Sequence, residues 1–137
     1  MLLDRGVDLN CEDENLRTAL SFSAENGQNS LVSLLLEKGA LPNQGAEESP
    51  LMYTVSEDNM ALVKLLLERG ADPYSNDYSI VELPPLVLAA SHGTEEMVSL
   101  LLERDADSDK VKKDHIWTGL VEACCEGKHG VVKLLIT

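Results

Sequence analysis

The side chains best suited to chemistry in this 137-residue chain are three histidines, His92, His115 and His129, and three cysteines, Cys11, Cys124 and Cys125. A zinc site needs three or four converging ligands. The histidines are scattered and no CxxC pair stands near them, so neither a metal nor another cofactor is expected. An odd cysteine count argues against a disulfide framework, and all three read as reduced thiols. Cys125 is a candidate for oxidation or labelling, but no base is placed by spacing to make it a nucleophile.

The carboxylates are more numerous, with adjacent pairs at Glu47-Glu48, Glu57-Asp58 and Glu95-Glu96. Neighbouring residues on a helix point in different directions, so these pairs read as solvated faces rather than acid/base dyads. No phosphate-cradling glycine loop, no Ser-His-Asp arrangement and no basic stripe is present. The chain is therefore expected not to be an enzyme. A closed pocket with two or more converging ionisable groups would be needed to reverse that.

Eleven Lys and Arg against 24 Asp and Glu give a net charge of −13, spread along the chain. Such a field repels nucleic acid and anionic membranes. It suits the solubility of an elongated protein first, and a preference for basic partners as the alternative. No apolar run approaches the roughly 18 residues that span a bilayer, and Met1-Leu2-Leu3-Asp4-Arg5 puts charges where a signal peptide has its apolar region. A cytoplasmic or nuclear location is the expectation.

The elements that must position these side chains are set by one stretch, Val63-Lys64-Leu65-Leu66-Leu67-Glu68-Arg69-Gly70-Ala71-Asp72-Pro73. Versions of it recur from Val32 and from Val98, with partial copies at Leu2–Asp8 and Val132–Ile136. A period of about 33 residues marks a stacked repeat array. In each unit a short helix is expected first, from Thr18, Ser49, Pro84 and Thr118. A turn at Gly27, Asp58, Gly93 or Gly127 follows, and then a second helix. The second helices are expected near residues 31–38, 60–68, 95–104 and 129 to the end. Leu31, Val32, Leu34, Leu35 and Leu36 make the first of them apolar nearly all round, as for a helix buried between neighbours. Gly39 and Gly70 supply C-terminal stops, and Pro50 and Pro85 sit where a helix tolerates proline.

Thr18-Ala19-Leu20-Ser21, the Ala-Ala and Gly turns, the Val-x-Leu-Leu-Leu runs and Gly70-Ala71-Asp72-Pro73 together resemble the ankyrin repeat over nearly the whole chain. The wording around Thr18-Ala19-Leu20-Ser21-Phe22-Ser23-Ala24-Glu25-Asn26-Gly27 is similar to fungal ankyrin arrays. The resemblance implies an all-α solenoid of stacked helix-turn-helix units with hairpin-like connecting loops. It divides the single array into a remnant over 1–17 and units over 18–48, 49–83, 84–117 and 118–137, the last incomplete. By the same alignment His92 falls at the exposed end of a first helix, His115 in a loop and His129 at the start of a second helix. Cys124 falls on a buried Ala position.

This chain departs from the family pattern in four ways. The family histidine is replaced by Ser21, Met52, Val87 and Val121, removing hydrogen bonds between units worth about 1 kcal/mol each. Asp58 and Asp105 stand where glycine is expected in a left-handed conformation, at a cost of roughly 1 kcal/mol. Leu41 replaces an expected aspartate. Neither end has a polar capping unit, which implies a piece of a longer array or end-to-end self-association.

In this family the loop tips and exposed ends of the first helices bind other proteins. The loops are expected near 8–17, 41–48, 72–83 and 107–117. Tyr74, Tyr78, Ile80, Leu83, His92 and Trp117 are the candidate centre, since Trp and Tyr dominate binding hot spots. The competing reading folds Ile80 and Trp117 back onto the neighbouring unit. Glu25, Glu48, Glu57, Asp77, Glu82, Asp114 and Glu126 would form an acidic rim suited to a peptide carrying Arg or Lys. The function implied is a scaffold that binds another protein or peptide. The alternative is a non-catalytic recruiting or regulatory arm of a larger enzyme or receptor.

Overall fold

The chain is seen here in a computed structural model, which describes residues 8–44, 49–72, 84–92, 94–103 and 109–136, apart from the side chains of 109–113 and 115. Eight helices and no strand occur among these residues: α1 (Ala19–Glu25), α2 (Asn29–Glu37), α3 (Pro50–Ser56), α4 (Met60–Glu68), α5 (Pro85–His92), α6 (Glu95–Glu103), α7 (Asp109–Cys125) and α8 (His129–Ile136). The fold is an all-α repeat solenoid. Odd-numbered helices stack in one layer, α1 on α3, α3 on α5 and α5 on α7. Each is paired with the helix that follows it, and these second helices form the other layer.

Local chemistry explains where the helices begin. Thr18 and Ser21 form a capping box, in which the Thr18 hydroxyl accepts from the Ser21 N–H (3.1 Å) and Ser21 Oγ accepts from the Thr18 N–H (2.9 Å). This satisfies two donors that a helix start would otherwise orphan. Ser21 occupies the family histidine position, so its hydroxyl is engaged inside its own unit. Ser49 caps α3 and Thr94 caps α6, accepting from Met52 and Met97 N–H respectively. Pro50 and Pro85 open α3 and α5. The residue before a proline is driven out of the helical region, so neither helix can extend backwards.

The fourth unit has neither device, and here the structure corrects the expectation. Gly119 takes the proline position, and α7 runs unbroken from Asp109 to Cys125 instead of starting near Thr118 after a loop. Thr118 does not cap. Its hydroxyl donates back to the Asp114 carbonyl at 2.9 Å, one turn earlier. His115 and Trp117 thus lie within a helix rather than a loop. Gly119 also has a packing role, because a Cβ there would stand 3.2 Å from the Ala90 Cβ of α5.

One apolar cluster runs the length of the described array. Leu20, Leu51 and Leu86 are fully buried at one register position of the first helices, as are Val32, Val63 and Val98 on the second. Each large side chain removed from water this way is worth about 1.5–3 kcal/mol. The ends differ from the middle. Leu31, expected to be buried, is 40% exposed, whereas its register mates Leu62, Met97 and Val131 are at most 2% exposed. No described helix packs on that side of α2. Cys124 is likewise exposed, not buried, although it shares a position with the buried Ala24, Val55 and Ala90. Those three are covered by the next first helix, and α7 has none.

Turns follow the expected backbone requirements. Gly27 and Gly127 adopt positive φ, and Asp58 takes the same left-handed place at φ 53°. Asp105 lies outside the described residues. The units are also tied by an asparagine ladder that the repeat pattern contained but that was not singled out. Asn10 Oδ1 accepts from Leu41 N–H (2.9 Å), and Asn43, at the equivalent place, accepts from Asp72 N–H (2.8 Å) and donates to the Gly70 carbonyl (2.9 Å).

Two outcomes are expected. Asn43→Ala should lower stability by about 1 kcal/mol in urea unfolding. Asn26→Ala, whose side chain donates only within its own unit, to the Phe22 carbonyl, should cost less. Gly119→Pro should restore the break before the fourth unit, speeding amide hydrogen exchange over residues 110–117 relative to α1.

Candidate interaction surface

Each first helix buries the arc that stacks and leaves the opposite arc outward. On α1 the buried side chains are Leu20, Ser21, Ser23 and Ala24, while Ala19, Phe22, Glu25 and Asn26 are exposed. Repeat spacing aligns Phe22 with Tyr53, Leu88 and Glu122. Phe22 is exposed and the other three are half-buried. One turn on, Asn26, Glu57, His92 and Glu126 form a second aligned row, all exposed at or just past the helix ends. The first-helix layer therefore shows a mostly apolar row beside a polar one that carries Glu57 and Glu126.

The loop before α1 adds a more rigid feature. Asp13 Oδ1 accepts from the Asn15 and Arg17 N–H groups (2.8 and 2.9 Å), and Asp13 Oδ2 receives both Nε and Nη2 of Arg17 (3.1 and 2.9 Å). The Arg17 guanidinium lies 5.0 Å from the centre of the Phe22 ring and 3.7 Å from Glu25. This stack fixes the orientation of an exposed aromatic. Leu16, between the clamped residues, has φ 59° and projects its side chain into solvent. A leucine in this conformation costs roughly 1–2 kcal/mol, and such strain persists only where surrounding bonds enforce it. Beside the clamp a cleft of about 410 Å³ is lined by Cys11, Glu12, Asp13, Arg17, Thr18, Ala19 and Phe22.

The electrostatics of the loop follow from these bonds. The backbone N–H of Arg17, helped by its guanidinium and by the Asn15 N–H, holds the Asp13 carboxyl below its ordinary pKa despite some desolvation. The Cys11 thiol is pushed up, first by its hydrogen bond to Asp8 and then by that carboxylate's charge. It is thus protonated at neutral pH and a weaker nucleophile than an ordinary exposed cysteine.

Of the candidates from sequence, Glu25, Glu57, His92 and Glu126 stand on this exposed side of the first helices. Trp117 is exposed, but by helix spacing it shares a stripe with Val121 and Cys124 rather than with these rows. Tyr74, Tyr78, Ile80, Leu83, Glu48, Asp77 and Glu82 lie outside the described residues. Leu16, Arg17, Phe22 and Tyr53 were missed. Phe22 carried a signal, since it is the chain's one phenylalanine and sits at a position that stacking does not need.

On the other layer, an open groove of about 430 Å³ formed by α4, α6 and α8 is lined by Met60, Lys64, Glu95, Glu96, Ser99, Leu100, Glu103 and Leu134. Glu95 and Glu96 lie in the first turn of α6, where they complement the helix dipole. No group of three or more His, Cys, Asp or Glu able to hold a metal occurs among the described residues. No described helix is long and apolar enough to cross a membrane.

The family model described as Ankyrin repeats (3 copies) matches residues 1–77, and the model described as Ankyrin repeat matches residues 82–113. No curated protein matches the chain.

The clamp makes a pH prediction. Because the folded-state pKa of Asp13 is depressed, its contribution to stability is complete above the unfolded value of about 3.9 and disappears as pH falls through the lower folded value. The stability gap between wild type and Asp13→Asn in urea unfolding should therefore be present at neutral pH and narrow once pH drops below about 4.

Proposed function

Since the chain belongs to the ankyrin-repeat family, we propose that it is a scaffold that binds a basic protein segment across the exposed side of its first-helix layer. Ankyrin repeats are in general protein–protein interaction modules and are typically non-catalytic. The observation that carries the reading for this chain is the alignment of Phe22, Tyr53 and Leu88 beside a row that carries Glu57 and Glu126, with Glu25 exposed on the same side of α1. An extended segment laid across the units would meet apolar surface with one set of side chains and carboxylates with another. Desolvated aromatics supply affinity, and the carboxylates select Arg or Lys and speed encounter. The net charge of −13 acts in the same direction.

The Arg17 clamp fits this role. By holding Phe22 in place before a partner arrives, it reduces the side-chain entropy lost on binding, about 0.5–1.5 kcal/mol for a mobile side chain. Tyr74, Tyr78, Ile80 and Leu83 belong to the same proposed surface through their loop's position in the repeat, and Asp77 and Glu48 to its rim.

A random peptide array probed with the labelled chain tests the proposal. Bound peptides should be enriched in Arg and Lys, and Phe22→Ala should weaken them by about 10-fold or more. Glu57→Lys, and raising salt from about 50 to about 300 mM, should each weaken them further. Selection of acidic peptides, or binding indifferent to both substitutions and to salt, would sink the reading.

A further inference from the structure

The stacked units act as a ruler for anything laid across them. Neighbouring first helices pack directly, α1 on α3, α3 on α5 and α5 on α7, and packed helix axes lie about 8–10 Å apart. Phe22, Tyr53 and Leu88 hold the same place on three successive first helices, and Glu122 holds it on the fourth. A partner segment crossing the layer therefore meets one apolar side chain per interval, and then a carboxylate. Beside them Asn26, Glu57, His92 and Glu126 repeat at the same interval. A β-strand returns to one face every second residue, about 6.6 Å, or every fourth, about 13 Å, and neither matches. A strand also needs an edge to pair with, and no strand occurs among the described residues. An α-helix returns at about 5.4 Å per turn, so every other contact would fall between first helices. A polyproline II helix turns once in three residues, about 9.3 Å. It has no internal hydrogen bonds and leaves its backbone to water, so side-chain contacts alone can hold it.

On the premise that the chain binds a basic segment on this surface, we propose that the segment binds as a polyproline II helix, one turn per unit, with an apolar residue at every third place. Its three faces take three roles. One lies on Phe22, Tyr53 and Leu88. The next turns toward Glu57 and Glu126 and carries Arg or Lys, whose donors the carboxylates accept. The third points to solvent and suits proline, which fixes the backbone without needing a contact. Charge selects the basic form of such a segment, because an acidic one would bring carboxylates against Glu57, Glu122 and Glu126 in a chain of net charge −13. Both sides of the contact are set before they meet. The Phe22 ring is held 5.0 Å from the Arg17 guanidinium, and a polyproline II segment has little backbone freedom left to lose. Aromatic surfaces are the ones on which such segments dock.

Fluorescence anisotropy with the full chain and labelled peptides about nine residues long, three turns of the helix, reads the result. Two peptides repeat Leu-Arg-Pro and Leu-Pro-Arg, since chain direction decides which neighbouring face meets the carboxylates. Two others hold the same residues with leucine at alternate places or at helical spacing. One of the period-three peptides should bind at least about 10-fold more tightly than both reordered ones. Inserting a single glycine after its first turn should remove most of that advantage, because the later turns then leave register with their units. Glu57→Lys, a change at an exposed residue that should leave the helical circular dichroism unchanged, should weaken it by about 10-fold and favour the matching Leu-Glu-Pro or Leu-Pro-Glu peptide. Equal affinity for every order, still falling with salt, would overturn the polyproline II geometry while leaving a basic partner in place. Preference for the alternating or helix-spaced peptide would do the same. Binding of none of the peptides would also overturn it, and the random array would then decide separately whether the basic-segment reading stands.

Discussion

Burial of one helix pair against the next is the constraint from which the rest of the structure follows. α1 and α3 are only seven residues long, well short of the roughly 12–15 residues at which an isolated helix becomes even marginal in water. They exist because Leu20, Leu51 and their neighbours are covered from the adjacent unit. Stability in such an array is a sum over neighbouring contacts, so each unit is secure only in company. The close approach at Gly119 and Ala90 shows how tight those contacts are. The arc of each first helix that does not stack is released from this demand, and that arc holds Phe22, Glu25, Glu57, His92 and Glu126.

Most of the architecture was legible in the sequence because the repeat states its own register. The runs from Val32, Val63 and Val98 gave the second helices. Gly39 and Gly70 marked their ends, and the left-handed place of Asp58 followed from aligning it with Gly27. The misjudged residues share one cause. Cys124 and Leu31 were assigned the environment that their repeat position has in the middle of an array, but burial comes from a neighbour and not from the position itself. The start of α7 was missed for a complementary reason. The alignment expects a break before Thr118, while the residue that would enforce it, a proline, is Gly119 in this chain.

The candidate surface was less legible than the fold. Acidic positions at helix ends could be read from spacing alone, because a residue at the end of a short outward helix has few ways to be hidden. Phe22 and Arg17 could not be joined from sequence, since their contact depends on the left-handed turn at Leu16 and on the Asp13 carboxylate receiving four N–H groups while the Asp13 N–H donates to the Arg17 carbonyl. A five-residue hydrogen-bonded loop of this kind leaves no periodic signature.

The unbroken α7 changes the mechanics of the chain. Elsewhere each unit begins with a separate first helix of only seven or eight residues. At the fourth unit the connection is itself part of a 17-residue rod, about 25 Å long at 1.5 Å per residue. A torque applied at its Asp109 end is delivered to α8 and to the α5 contact with little loss.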